Sequence, residues 1–190
     1  MPGQDYQIRM KLKVLFLILT LNMSLITSAE SFGLVVHGGA GVLSGLSIER
    51  QQEIENKVKD TLISAYKILE DGGSSMDAVE FAVSEFEDST LFNAGKGSVY
   101  NSNEVQEMDA SIMNGADRSA GAVASVQIIK NPIKLARKVL EETDHVLLVG
   151  QGAEIFAKDI EETIVDRSYF HSEKNLKRLK KAKKRISDNN

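Results

Sequence analysis

The sequence predicts a mixed α+β fold with an antiparallel component, on three observations. Two consecutive segments, one opening at Ser47 and the other at Ser74 or Ser75, repeat apolar residues at spacings of three and four, as helices do. Residues 106–129 alternate, turn at Asn114-Gly115 and alternate again in small residues, as a β-hairpin does. Two runs, "FGLVVH" (32–37) and "HVLLVG" (145–150), are too brief for helices and rich in valine and leucine, so they read as buried strands. With 190 residues, 42% hydrophobic and 26% charged, the chain is long enough for one domain with a real core. No internal repeat is visible.

Residues 1–29 read as a signal peptide. Arg9, Lys11 and Lys13 precede an apolar run over 14–26, and Thr27-Ser28-Ala29 offers the small residues a signal peptidase needs, with cleavage expected after Ala29. The protein is therefore expected to be secreted or periplasmic. The run falls short of the roughly 20 residues of a membrane span and Asn22 interrupts it, which leaves a membrane anchor as the alternative. Met10 is a second candidate start. After the strand at 32–37 comes the nearly side-chain-free turn Gly38-Gly39-Ala40-Gly41.

Ser47 then caps a helix whose buried stripe is Ile54, Val58, Leu62, Ala65 and Leu69, and Gly72-Gly73 stops it. The next helix buries Ala78, Val79, Ala82, Val83 and Phe86. "LFNAGKGSVYNSN" (91–103) has too many Gly and Asn residues for regular structure, yet Leu91, Phe92, Val99 and Tyr100 want burial, so an ordered loop is expected. In the hairpin, Met108, Ala110 and Ile112 share one strand face while Val105, Glu107, Asp109 and Ser111 share the other. Pro132 suits a helical first turn, with Leu135, Ala136, Val139 and Leu140 on its buried face. Residues 152–158 read as a short helix.

The absence of cysteine excludes disulfides, thiolate zinc sites and cysteine nucleophiles. Glycines at the strand end let a backbone approach something closely, but no P-loop lysine is present and the spacing of Gly39, Gly41 and Gly45 misses the dinucleotide fingerprint. A glycine turn packed on a helix is the simpler reading. His37 has the chemistry of a base or ligand, and equally that of a buried, hydrogen-bonded histidine; His145 and His171 stand at no metal-ligand spacing from it. Glu107 and Asp109 read either as an acid–base pair or as solvated strand-face charges. The loop around 86–97 would suit a hard cation if its carbonyls converge, and otherwise leaves them to water. The net charge of −4 conceals a basic strap, residues 174–185, with eight Lys or Arg and no acid. Its thin stripe of Leu176, Leu179 and Ala182 favours a frayed helix or flexible linker, and no nucleic-acid partner is expected.

Taken in order, "HGGAG" (37–41), "LFNAGKGSVYNSN" (91–103), "EMDASIMNG" (107–115), "GAVASV" (121–126), "NPIKLAR" (131–137) and "HVLLVGQGAE" (145–154) resemble the plant-type L-asparaginase and isoaspartyl peptidase family, specifically its N-terminal or α portion. The resemblance covers essentially all of residues 32–170. It implies the N-terminal half of a four-layer αββα N-terminal nucleophile hydrolase sandwich, made as a precursor that cuts itself before a threonine. The freed threonine then attacks a side-chain amide. By resemblance, Gly38 and Gly39, with His37 at the base of their loop, lie beside that threonine, and Asn93 approaches the same place. The family's sodium loop corresponds to the main-chain oxygens of Phe86, Glu87, Ser89, Phe92, Ala94 and Lys96. Lys96 stands where an apolar residue is common, but only its carbonyl would matter.

The resemblance implies domains at 1–29 (signal peptide), 30–170 (α portion) and 171–190 (a basic flexible linker leading to the cleavage site). It implies no cofactor beyond a structural sodium ion. The expected partners are a C-terminal β half of the same precursor, an (αβ)2 assembly, and an asparagine or β-aspartyl peptide substrate. The family's cleavage sequence Gly-Thr-Val-Gly does not occur, and Thr143 and Thr163 sit in other contexts. No catalytic nucleophile is therefore assigned to this chain, which is expected to be inactive alone; the alternative is a non-catalytic remnant or binding protein of the same fold.

Overall fold

A computed structural model describes residues 32–41 and 45–188. The chain divides into two units, Met1–Gly33 and Leu34–Asn190, and the fold is that of the second. The signal-peptide reading lies outside the described residues. Among those described, no helix is long and apolar enough to cross a membrane.

Helix α1 spans Ile48–Glu70, opened by the Ser47 hydroxyl, which accepts the Arg50 N–H. It ends where Gly72 takes a left-handed φ of +87°, a conformation that glycine adopts without a side-chain clash. Helix α2, Ser75–Glu87, begins with a full capping box. Ser74 accepts from the Asp77 N–H while the Asp77 carboxylate accepts from the Ser74 N–H and hydroxyl, satisfying two orphan donors of the first turn. Both stripes predicted for these helices face inward.

Strands β1 (Met108–Met113) and β2 (Ala120–Val126) form the antiparallel hairpin. Their connection runs from Asn114 to Ser119, longer than the tight Asn-Gly turn expected, because the register pairs Met113 with Ala120. The left-handed residue is Arg118 (φ +66°), and Asn114 and Asp117 side chains brace the loop by accepting the N–H groups of Ala116 and Ser119. Helix α3, Pro132–Glu142, crosses back to β3, Leu147–Val149, which pairs parallel to β2. Helix α4 follows at Gly150–Asp159 and α5 at Glu173–Ser187, with single 3-10 turns at Gly95–Gly97 and Arg167–Phe170.

The result is an α+β arrangement: a three-stranded sheet, order β1-β2-β3, with α2, α3 and α4 on one face. Met108, Ile112, Val123 and Val126 meet Leu135, Ala136, Val139, Ala153 and Ala157 there. Contact is tightest at Gly121, where a β-carbon would fall 2.2 Å from the Ala136 carbonyl oxygen. The opposite face is only half-buried along β2 and exposed at Met113, Leu147 and Val149. Its rows are Met113 beside Ala120, Ser111 beside Ala122 and Leu147, and Ala124 beside Val149.

Three expectations are corrected. Residues 32–37 form no strand and belong to no sheet among the described residues, and Val35 is 92% exposed. Apolar β-branched sequence favours extended backbone, but only a neighbouring strand makes it a ladder. The run at 145–150 is not buried: β3 is three residues long, on the sheet edge, with Leu147 51% and Val149 54% exposed. In the 91–103 loop, Leu91, Phe92 and Tyr100 withdraw from water but Val99 stays 43% exposed. Of the two readings for the strap, frayed helix or flexible linker, the described residues show the helix: Ser172 accepts the Asn175 N–H and caps α5, which runs through Ser187 and buries no residue.

Candidate functional site

The glycine turn and the 91–97 loop meet through one aromatic ring. A β-carbon on Gly38 would lie 2.9 Å from Phe92 Cε1 and 3.6 Å from Val58 Cγ2, so the turn rests on Phe92 and α1 as only glycine allows. Phe92 in turn packs on Phe86, the last aromatic of α2, with ring centroids 4.4 Å apart. Beside Gly38, Gly39 adopts φ +97° and meets nothing within 4 Å above its α-carbon. Its N–H donates to His37 Nδ1 at 3.1 Å, which makes that nitrogen the acceptor. His37 itself is exposed, so the buried-histidine reading fails.

Next to Phe92, Asn93 turns its side-chain oxygen inward along the loop to accept the Val99 N–H at 2.9 Å. Phe92 thereby brings the segments holding His37, Gly38, Gly39 and Asn93 against one another.

Three of the carbonyls expected to face a cation lie close against two glycines. Gly95 (φ +46°) leaves room where a β-carbon would fall 2.3 Å from the Glu87 carbonyl oxygen. At Gly97 the same atom would fall 2.1 Å from the oxygen of Phe92 and 2.9 Å from that of Ser89. The Phe86 and Ala94 oxygens accept from the N–H groups of Ser89 and Gly97. Hard oxygens of this kind, with no acid needed, are the chemistry of an alkali or alkaline-earth cation site. Among the described residues, no group of three His, Asp or Glu side chains could hold a metal, so main-chain oxygens are the available ligands. The Lys96 ammonium lies 5.1 Å from the centre of the Tyr169 ring, which occupies the side chain elsewhere and leaves the backbone to the loop.

Glu87 has two roles in this arrangement. Its side chain is buried, with Oε1 accepting the Ile133 N–H at 3.0 Å in the first turn of α3. Burial pushes its carboxyl up to about 8, outweighing the opposing hydrogen bonds from the Ile133 N–H and Asn131.

Glu107 and Asp109 do not form an acid–base pair, nor are they simply solvated. Glu107 accepts from Asn101 (2.6 Å) and the Ser125 hydroxyl (2.9 Å), which together hold its carboxyl below the ordinary range. Asp109 accepts the Ser125 N–H at 2.8 Å. Both stabilise a β-bulge in which Ser125 takes φ +56°, so their role is to fix the hairpin's shape. Thr143 donates its hydroxyl to the Val139 carbonyl at the end of α3, and the Thr163 carbonyl accepts from Lys130; both are engaged in local structure.

Two residues passed over in the sequence anchor the loop. Gln106 is buried, and its Nε2 lies 2.7 Å from the Ser98 oxygen, 3.1 Å from the Ser98 hydroxyl and 2.7 Å from the Phe170 oxygen. From α5, Asn175 Nδ2 reaches the carbonyls of Gly97 and Ser98, each at 3.1 Å. Their only sequence signal was an amide in an otherwise charged or alternating stretch.

The family model described as asparaginase matches residues 30–190. The isoaspartyl peptidase/L-asparaginase of Homo sapiens is 48% identical over 149 residues, covering 78% of this chain and 48% of the relative. That of Mus musculus is 48% identical over 151 residues, covering 76% and 46%. The plant-type L-asparaginase of Pyrococcus horikoshii is 50% identical over 125 residues, covering 66% and 40%. The chain thus spans less than half the length of the curated relatives it matches.

Proposed function

The chain belongs to the asparaginase family, and on that premise we propose that it is the N-terminal, α part of an asparaginase or isoaspartyl dipeptidase precursor. The threonine nucleophile then lies in a C-terminal half outside this sequence, and the reaction is hydrolysis of the side-chain amide of L-asparagine or of β-aspartyl dipeptides.

The observation that supports this best is the one-sided sheet. Helices cover one face; the other exposes Met113, Leu147 and Val149 around a row of alanines, a surface that a folded protein normally covers. A second sheet laid on that face, with helices beyond it, makes the four-layer αββα sandwich. Further strands can add at the outer edges of β1 and β3. In that assembly the threonine of the C-terminal half lies over Gly39, where a left-handed glycine leaves open space, with His37, Gly38 and Asn93 around it.

The main-chain oxygens of Phe86, Glu87, Ser89, Phe92, Ala94 and Lys96 would hold a structural sodium ion, which neutralises converging carbonyl dipoles and stiffens the loop. The close approach of three of these oxygens to Gly95 and Gly97 fits that role. In this reading residues 1–29 direct the protein to a secreted or periplasmic location, and the mature enzyme is an (αβ)2 assembly.

The test is hydrolysis of a β-aspartyl dipeptide and of L-asparagine. The 190-residue chain should show no turnover alone and should gain it when mixed with a separately produced C-terminal half beginning at its threonine, encoded downstream of Asn190. Turnover by the chain alone would overturn the placement of the nucleophile. A downstream sequence lacking Gly-Thr-Val-Gly, or a half that restores nothing, would overturn the enzymatic reading.

A further inference from the structure

The basic segment, expected as a frayed helix or flexible linker, is a helix whose first turn reaches the carbonyl loop. Asn175, in the first turn of α5, donates one amide nitrogen to two successive carbonyls, Gly97 and Ser98. Three more contacts fasten the same strap to the same stretch. Tyr100 Oη lies 2.9 Å from His171 Nδ1 and accepts the Ser172 N–H at 3.2 Å, and Lys183 pairs with Glu104 at 3.5 Å. From the opposite side Gln106 holds the Ser98 carbonyl as well. The short 3-10 turn Gly95–Gly97 therefore lies between a loop of converging oxygens and an amide belonging to α5.

We infer that Asn175 is a positioning residue for the carbonyl loop, so that docking of α5 and occupation of the loop by a sodium ion reinforce each other. Gly97 is buried, with the Phe92 and Ser89 oxygens close above its α-carbon, so a displacement of Gly97 is felt directly by those two oxygens. The Asn175 amide fixes Gly97 from outside. With its carbonyl held by Asn175 and its N–H held by the Ala94 oxygen, Gly97 stays seated against the Phe92 and Ser89 oxygens. Coupling of this kind is reciprocal: whatever the docked strap adds to cation affinity, the cation adds to docking of the strap. The inference rests on the sodium reading of this loop, and the experiment separates the two.

Hydrogen–deuterium exchange of the 190-residue chain is compared in sodium chloride and in the same concentration of tetramethylammonium chloride, a cation too large for the loop. Sodium should slow exchange over residues 89–99 and also over the first two turns of α5. In Asn175→Ala the sodium midpoint for the loop should rise about tenfold, as expected for losing an amide shared between two carbonyls, and α5 should no longer respond to sodium. Lys183→Ala, which frees only the far end of the strap, should leave the midpoint unchanged. Unaltered protection of β1 and β2 confirms that each variant is folded; should Asn175→Ala fail this, Asn175→Asp removes the donor with the shape kept and is read the same way. Equal sodium midpoints in wild type and the Asn175 variant would overturn the positioning role while leaving the cation site standing. No sodium effect on residues 89–99 in the wild type would overturn the cation reading, and the coupling with it.

Discussion

Replacing Gly121 by alanine adds one methyl group at the place where sheet and helix are closest. The new β-carbon would lie 2.2 Å from the Ala136 oxygen, 2.5 Å from the Leu140 nitrogen and 2.7 Å from Leu140 Cβ. Two of these are backbone atoms inside a regular helix, so no rotamer change relieves them. Ordinary contact needs more than 3 Å, and α3 must therefore move off β2 by about 1 Å. That displacement opens a gap around Leu135, Ala136 and Val139, all fully buried, and a gap of 0.5–1 Å already forfeits about a quarter to a half of each contact's attraction. Overpacking of this kind costs about 1–3 kcal/mol, and a rigid backbone collision belongs at the upper end. Equilibrium urea unfolding of the chain should thus show Gly121→Ala destabilised by about 3 kcal/mol. Gly115→Ala, in the hairpin loop with open space around it, serves as the control and should change stability by less than about 0.5 kcal/mol. Near-wild-type stability in Gly121→Ala would refute the claim that α3 is seated on β2 through this glycine.

Two other perturbations read out different parts of the same frame. Hydrogen bonds from Ser74 and Arg137 hold the Asp77 carboxyl down to about 2, below the 3.8 of an unpaired aspartate. The stability it contributes is present above pH 3.8 and lost as pH falls toward 2, so acid unfolding followed by circular dichroism should show less of this loss in Asp77→Asn. Gln106→Leu deprives the Ser98 and Phe170 carbonyls of a buried donor and should cost about 2–3 kcal/mol in the same urea assay; a neutral result would show that this amide is not what ties the loop to the Arg167–Phe170 turn.

What could be read from the residues was whatever local chemistry decides. Ser47, the Ser74–Asp77 box and Pro132 mark helix starts because a cap or a fixed φ acts within one turn. The two faces of β1 were assigned correctly because side chains alternate regardless of what lies opposite. The errors arise where a partner decides. The valines and leucines of 34–36 and 146–149 say that these stretches are to be covered, not that the covering surface belongs to this chain. Likewise the strap reads as a solvated charge run by composition, and only tertiary contacts at Asn175, Ser172 and Lys183 turn it into a docked helix. At the site, the order of motifs located the glycine turn and the carbonyl loop, but not the bonding of Glu107 and Asp109. Their role depends on Ser125, sixteen and more residues away across a bulge that no alternation pattern announces.

The pile of Gly38 on Phe92 on Phe86 acts as a gauge. The height at which the glycine turn stands above the end of α2 is set by the thickness of two rings, not by any bond within the turn. A shift in the register of α2 would therefore be transmitted to Gly38 without a single direct contact between them. Drift at the turn is limited from below, since a methyl group at position 38 requires the ring beneath it to yield. The tolerance of the most exposed part of the site is thus written into one of its most buried side chains.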